Sequence, residues 1–328
     1  MSPAVPLIAK HILHHLSGCS QKPLFVAIQG PQGSGKSFLT GLVHSHLTNE
    51  HLLRVASVSI DDLYLPHNGL KYLAETHPNN PLWRGRGQPG THDVALGIEL
   101  LKSLKSGVKG VEIPRFDKSL FNGEGDRLPL DGSGTIVDPP LDVVIMEGWF
   151  MGFYPISQEE LQKRWKGVWK DVKASLNMDD SIVGTMENIA EVNEALFSYI
   201  DLWSFFDVFI QLKPQSSDTT APYSVVYKWR LEQEHYMKAR NGGKGMTDSA
   251  VKLFVDRYIP GYVFFGDGIL QGYVGGNPSP NSSGDKGTND GTVPQSKRLT
   301  AYESPRWLGK SLRLVIDEDR GIVEIEKF

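Results

Sequence analysis

Short, wholly apolar runs alternate along this chain with longer stretches in which apolar residues recur every three or four positions. Residues 6–16 place Ile8, Ile12 and Leu16 at helical spacing, and the neighbouring His11, His14 and His15 read as a solvated helix face more readily than as a metal set. The apolar run 24–28 predicts a strand, a glycine-rich turn follows, and a helix is predicted from 36 to about 48. A second strand is expected over 54–60, closed by Asp61 and Asp62. Residues 68–89 are rich in Pro, Asn, Gly and Arg, which argues for an ordered functional loop more than for regular structure. Thr91 then caps a predicted helix to about 106, with Val94, Ile98, Leu101 and Leu104 facing inward.

Further along, 111–113 is a short strand candidate, and 142–146 reads as a fully buried parallel strand because it lacks polar alternation and stops at Glu147-Gly148. Residues 157–204 are predicted helical with a break around 177–184, and 207–212 gives another buried strand. Helices are expected over 223–240 and 247–258. Residues 275–296 hold almost no apolar side chain and predict a disordered surface insertion of the same domain. The segments 312–316 and 322–325 form a terminal strand pair that cannot stand alone. The expectation is an α/β chain: one doubly wound parallel sheet, of the P-loop type that Gly30-Pro31-Gln32-Gly33-Ser34-Gly35-Lys36-Ser37 between the first strand and helix indicates, with helices on both faces, a helical lid, and a helical insertion at about 155–204.

Composition narrows the classes. At 328 residues and 40% apolar content the chain can bury a substantial core, and a formal net charge of −4 provides no broad cationic field for nucleic acid. The single cysteine, Cys19, excludes an intramolecular disulfide and suits a reducing, cytoplasmic setting. Apolar runs such as 143–146 are far too short to span a bilayer, and no targeting segment is read at the N-terminus. Oligomeric state is not legible.

The turn after the first strand is Gly30-Pro31-Gln32-Gly33-Ser34-Gly35-Lys36-Ser37, a strand-to-helix phosphate loop whose backbone N–H groups can point at phosphate oxygens beside the positive end of a helix dipole. Phe38 follows it and is included in the ATP-binding set. Lys36 adds a mobile cation at the transferred phosphate, and the Ser37 hydroxyl suits magnesium, which takes oxygen ligands. Glu147 and Asp61 are the carboxylates expected at the metal, and Asp61 is also the expected general base. Asp62 either assists through metal-bound water or accepts a structural hydrogen bond. The loops around Tyr64, Arg84, Arg86, His92 and Asp93, and around Arg115, Asp117 and Lys118, supply donors and acceptors for a small polar anion. Arg230, on the 223–240 helix with Lys228, Trp229 and Arg240, could bring a cation onto the phosphoryl group.

With these motifs in this order the chain resembles the D-glycerate 3-kinase family: the phosphate loop, 59–64, 84–93, 114–119, 147–149, 192–194, 227–231, 245–248 and 258–260 carry the likeness over about 24–268. The resemblance implies ATP and magnesium as cofactors, Asp61 as base, the metal at Glu147, and glycerate as acceptor giving 3-phosphoglycerate. The wider kinship with phosphoribulokinase, uridine kinase and pantothenate kinase leaves another small acceptor open. A non-catalytic ATP-binding regulator is the remaining alternative, opposed by the second set of polar loops and by the lack of an Asn-Lys-x-Asp motif.

Overall fold

A computed structural model describes residues 3–215, 223–240, 242–273 and 304–328. Four parallel strands form one side of the main sheet, out to its β2 edge: β1 (Leu24–Gln29), β2 (Val55–Ser59), β7 (Val143–Gly148) and β8 (Val208–Pro214). With β9 (Ser311–Ile316) and β10 (Ile322–Lys327) they run in the order β10-β9-β8-β1-β7-β2, all parallel except the antiparallel edge strand β10. The expected terminal strand pair therefore completes the main sheet. Two small antiparallel pairs lie outside it, β3 (Val111–Ile113) with β6 (Thr135–Val137) and β4 (Phe116–Asp117) with β5 (Asp126–Arg127).

Alternation along the buried strands builds two cores. Leu24, Val26 and Ile28 face a layer with Val143, Ile145, Val208 and Ile210, covered by α1 (Ala4–Ser17) and α2 (Lys36–His51). Phe25 and Ala27 face the opposite layer with Val144, Met146 and Phe209, covered by helices that include α4 (Val94–Ser106). Every residue of β1 and β7 is buried, as a central parallel strand with helices on both faces requires.

Between β2 and α4 lies α3 (His67–Thr76), where composition predicted only loop. The window between Pro66 and Pro78 has no proline, and Leu70 and Leu73 stand one turn apart, so it folds as a helix once that side has a surface to cover. The cap of α4 also differs. Asp93 accepts from the Leu96 amide at 3.1 Å, while the buried Thr91 hydroxyl donates to the Gln88 carbonyl at 2.7 Å and so closes the preceding turn. On α4 it is Gly97, Leu100, Leu101 and Leu104 that are buried, with Val94 and Ile98 at the margin.

The region 157–204 breaks into α5 (Gln158–Lys166), α6 (Val168–Ser175), α7 (Asp180–Val183), α8 (Met186–Leu196) and α9 (Ile200–Trp203). Asn193 ties α8 back to the chain after β7, accepting from the Ile156 amide at 2.8 Å and donating to its carbonyl at 3.0 Å. After β8 come α10 (Ser224–Arg240), α11 (Asp248–Asp256), α12 (Ile259–Phe265) and α13 (Gly268–Gln271). The predicted disordered stretch at 275–296 lies outside the described residues. Among the described residues no helix is long and apolar enough to cross a membrane.

Candidate active site

Parallel strands deliver their exits to one edge, and three of them converge there. β1 leads into the phosphate loop, β2 into a short 3₁₀ turn (Ile60–Leu63) carrying Asp61 and Asp62, and β7 carries Glu147 one residue before its end, in register with Ile28 on one side and Ser59 on the other. Gly148 lets β7 approach that turn, since a Cβ there would meet the Ile60 side chain at 2.4 Å.

The phosphate loop ends in left-handed glycines, Gly33 at φ 75° and Gly35 at φ 84°. A Cβ on Gly33 would lie 2.5 Å from the Trp229 Cβ, so α10 packs directly on the loop. Above Gly35 the space is open, as a cradle for a phosphate needs. Gly30 and Pro31 are buried at the strand exit, and the buried Ser34 hydroxyl has no hydrogen-bond partner among the described residues. The Gln32 amide donates to the Tyr262 hydroxyl at 3.2 Å, Lys36 is half-buried, and Phe38 stands 73% exposed at the start of α2. Arg320, from the β9–β10 turn, donates its Nε to the Gly33 carbonyl at 2.8 Å.

Ser37 and Glu147 meet. The serine hydroxyl donates to Glu147 Oε1 at 2.8 Å, and Oε2 is buried without a hydrogen-bond partner among the described residues. An orphaned carboxylate oxygen beside a hydroxyl is an all-oxygen donor set that fits magnesium, which keeps several of its waters and needs few protein ligands.

Asp61 pairs with Lys118, Nζ to Oδ2 at 2.5 Å. Burial by itself would raise the Asp61 carboxyl, yet the Lys118 ammonium, helped by Lys36 and His92, holds it well below the usual carboxylate range. The same contact raises Lys118. Asp62 has another role: its Oδ1 accepts from the Phe116 amide at 3.0 Å, pinning β4 against the turn and bringing Lys118 to Asp61. Burial raises the Asp62 carboxyl.

An isolated antiparallel bridge joins Tyr64 to His92, whose rings stack with centroids 4.4 Å apart. His92 is buried, shares a hydrogen bond with the Tyr199 hydroxyl through Nδ1 at 2.9 Å, and burial lowers its pKa to about 3. Burial also holds the Tyr64 phenol well above its ordinary value. Arg86 lies over the Phe116 ring, 5.6 Å from its centroid, and spends donors on the carbonyls of Gly123 and Glu124.

Other expected ligands stand apart from this constellation or are already engaged. Asp93 caps α4 and pairs with Arg127 at 2.8 Å, while Asp117 accepts from the amide and hydroxyl of Ser119. Arg115 is exposed, and Arg84 lines a cavity of about 300 Å³ with Ile182 and Phe254. Arg230 is buried within α10, 2.8 Å from Glu234 Oε2 in an alignment too oblique for a hydrogen bond, with its guanidinium 5.2 Å from the Phe254 ring centroid. His11 Nε2 lies 3.1 Å from the Lys310 carbonyl, and no metal-holding cluster of His, Cys, Asp and Glu occurs among the described residues.

Sequence reasoning passed over several residues that shape the site. Trp149 donates to the Gly87 carbonyl at 3.1 Å, Gln29 donates to the Trp149 carbonyl at 2.8 Å, and buried Gln88 donates to the Arg257 carbonyl at 2.5 Å. Tyr258 is buried within the electrostatic reach of Asp61 and Lys118. Trp149 and Tyr258 lie inside motifs that carried the family likeness; Arg320 had no local signal.

A doubly wound sheet with a phosphate loop, an adjoining hydroxyl–carboxylate pair and a second carboxylate across the edge defines a P-loop kinase. Comparison with known proteins names the branch. A probable ATP-dependent kinase, TDA10 of Saccharomyces cerevisiae, is 36% identical over 273 residues, covering 80% of this chain and 84% of its own. The chloroplastic D-glycerate 3-kinase of Arabidopsis thaliana is 33% identical over 260 residues, 78% of this chain and 50% of its own length. The solved D-glycerate 3-kinase of Cryptococcus neoformans superposes with a TM-score of 0.80 at 35% identity, covering 100% of both chains. No protein-family model matches. The chain belongs to the D-glycerate 3-kinase family and is a kinase that acts on a small-molecule hydroxyl.

Proposed function

We propose that this kinase transfers the γ-phosphoryl group of ATP to a hydroxyl of D-glycerate, giving 3-phosphoglycerate. The observation that carries the reading is the Asp61–Lys118 pair, a carboxylate and a cation held together across the sheet edge from the phosphate loop, in a fold that matches a solved D-glycerate 3-kinase along its whole length. Glycerate offers both a hydroxyl and a carboxylate, which match a base and an ammonium.

In this reading the amides of the phosphate loop and Lys36 hold the triphosphate. Ser37 and Glu147 would hold magnesium, which neutralises charge on the phosphates. Asp61 accepts the acceptor's hydroxyl proton as the oxygen bonds to the γ-phosphorus, and the bond to the β–γ bridging oxygen breaks with its electron pair leaving on ADP. The stacked Tyr64 and His92 wall the acceptor side and exclude water. Arg230 reaches the phosphoryl group only if it leaves Glu234, so its contribution is assigned to a closed state of α10.

Coupled ADP release from purified protein, with D-glycerate, L-glycerate, pantothenate and uridine as acceptors, tests the assignment. Turnover stimulated by D-glycerate alone is expected. Stimulation only by another acceptor would remove glycerate and leave the kinase. A cytoplasmic location, motivated by the single Cys19, is part of the proposal and is checked by fractionating tagged protein; recovery in an organelle would refute it.

A further inference from the structure

We propose that Lys118 is a latch on Asp61: in the empty site it occupies the base, and an acceptor that brings its own carboxylate draws it away, so the same anion that docks on Lys118 also frees Asp61 for the hydroxyl. The inference rests on the reading of Asp61 as base.

Four observations support a latch rather than a fixed ion pair. The contact at 2.5 Å occupies Oδ2, one of the two oxygens a hydroxyl could use. The two partners differ in freedom: the Asp61 side chain is 28% exposed on a turn whose amide is capped by the Ser59 hydroxyl, whereas Lys118 is 55% exposed, with a long stem just past the end of β4. Among the described residues the ion pair of Lys118 is with Asp61, while Asp62 Oδ1 accepts from the Phe116 amide and Asp117 Oδ1 from Ser119. The nearby Arg86 is anchored on the carbonyls of Gly123 and Glu124, so Lys118 rather than Arg86 is the cation placed to follow a ligand away from Asp61.

Charge accounting explains the selectivity. Stripping one partner from a partly buried pair leaves the other uncompensated, a cost that a neutral alcohol or water cannot offset. A carboxylate-bearing acceptor gives Lys118 a replacement partner, and the hydrogen bond from its hydroxyl gives Asp61 one. Transfer to water, which would waste ATP, is thereby suppressed until the acceptor is seated.

Lys118→Met with magnesium and ATP and no acceptor tests this. Acceptor-free ATP hydrolysis is expected to rise about tenfold over wild type. With D-glycerate the variant's kcat/KM is expected to fall about 10²-fold, mostly through KM, and the wild-type preference for glycerate over its uncharged amide is expected to vanish. Lys118→Arg, which keeps the charge, should keep hydrolysis low; Lys118→Gln repeats the neutral change should the methionine variant melt early. Unchanged acceptor-free hydrolysis in folded neutral variants overturns the latch, whatever happens to transfer. That readout uses no glycerate, so a failed glycerate assignment with a leaky neutral variant leaves the latch standing, and an active glycerate kinase with a tight one removes it.

Discussion

At Asp61 and Glu147 the same functional group is set to two tasks by its neighbours. Glu147, next to the last residue of a buried strand, has one oxygen on Ser37 and the other without a partner among the described residues, and in the proposed reading that pair holds magnesium. Glu147→Gln keeps the shape and removes the charge. We expect the magnesium concentration for half-maximal activity to rise about tenfold, read from a magnesium titration at saturating ATP. Asp61→Asn should lower single-turnover phosphoryl transfer by about 10²–10⁴-fold with little change in ATP binding; transfer at the wild-type rate would rule Asp61 out as base. His92 gives a stability prediction. Burial lowers its pKa from 6.5 to about 3, so the folded ring stays neutral where the unfolded chain takes up a proton. Its contribution is complete above pH 6.5 and is lost progressively as pH falls toward 3. At pH 4 that amounts to about 3 kcal/mol, and His92→Gln should narrow the difference between urea midpoints measured at pH 7 and pH 4.

Elements make these side chains neighbours. The phosphate loop keeps its shape because α10 lies on it, with Trp229 closing over Gly33. In Gly33→Ala the methyl would collide with the Trp229 Cβ and, at 2.7 Å, with its backbone carbon, in a residue already at φ 75°. The expected result is a loss of about 1–3 kcal/mol and a smaller rise in melting temperature on adding ATP, both read from thermal melts with and without nucleotide. At this scale the periodic segments were legible and the irregular ones were not. β1 and β7 follow from their apolar runs, because a strand buried along its length must be apolar throughout, and α2 from Leu39, Val43 and Leu47, which recur at helical spacing on its buried face. The α3 helix escaped because composition was averaged over a window in which Pro, Gly and Asn surround a short amphipathic stretch. The α4 cap shifted from Thr91 to Asp93 because Thr91 already donates to Gln88.

Across the whole molecule, the last strands serve the first loop. The β9–β10 turn reaches the phosphate loop through Arg320, which also sits 5.5 Å from the Trp229 ring centroid and pairs with Glu232. Arg320→Ala should raise KM for ATP several-fold, leave the acceptor KM unchanged and lower the melting temperature by a few degrees, as steady-state kinetics and a melt would show. By itself the sequence determined the alternating α/β order, the phosphate loop and the carboxylates at two strand ends, since each is written in adjacent residues with a fixed period or spacing. Only the tertiary structure decided which carboxylate is paired, capping or orphaned. Lys118 and Asp61 are 57 residues apart, and Arg320 and the Gly33 carbonyl 287, and contacts at that range depend on how packed elements are placed. Of four aspartates that look alike in the sequence, packing spends Asp62, Asp93 and Asp117 on the chain's own amides, hydroxyl and guanidinium groups. It leaves Asp61 paired with Lys118, a partner that in the proposed latch an incoming anion replaces.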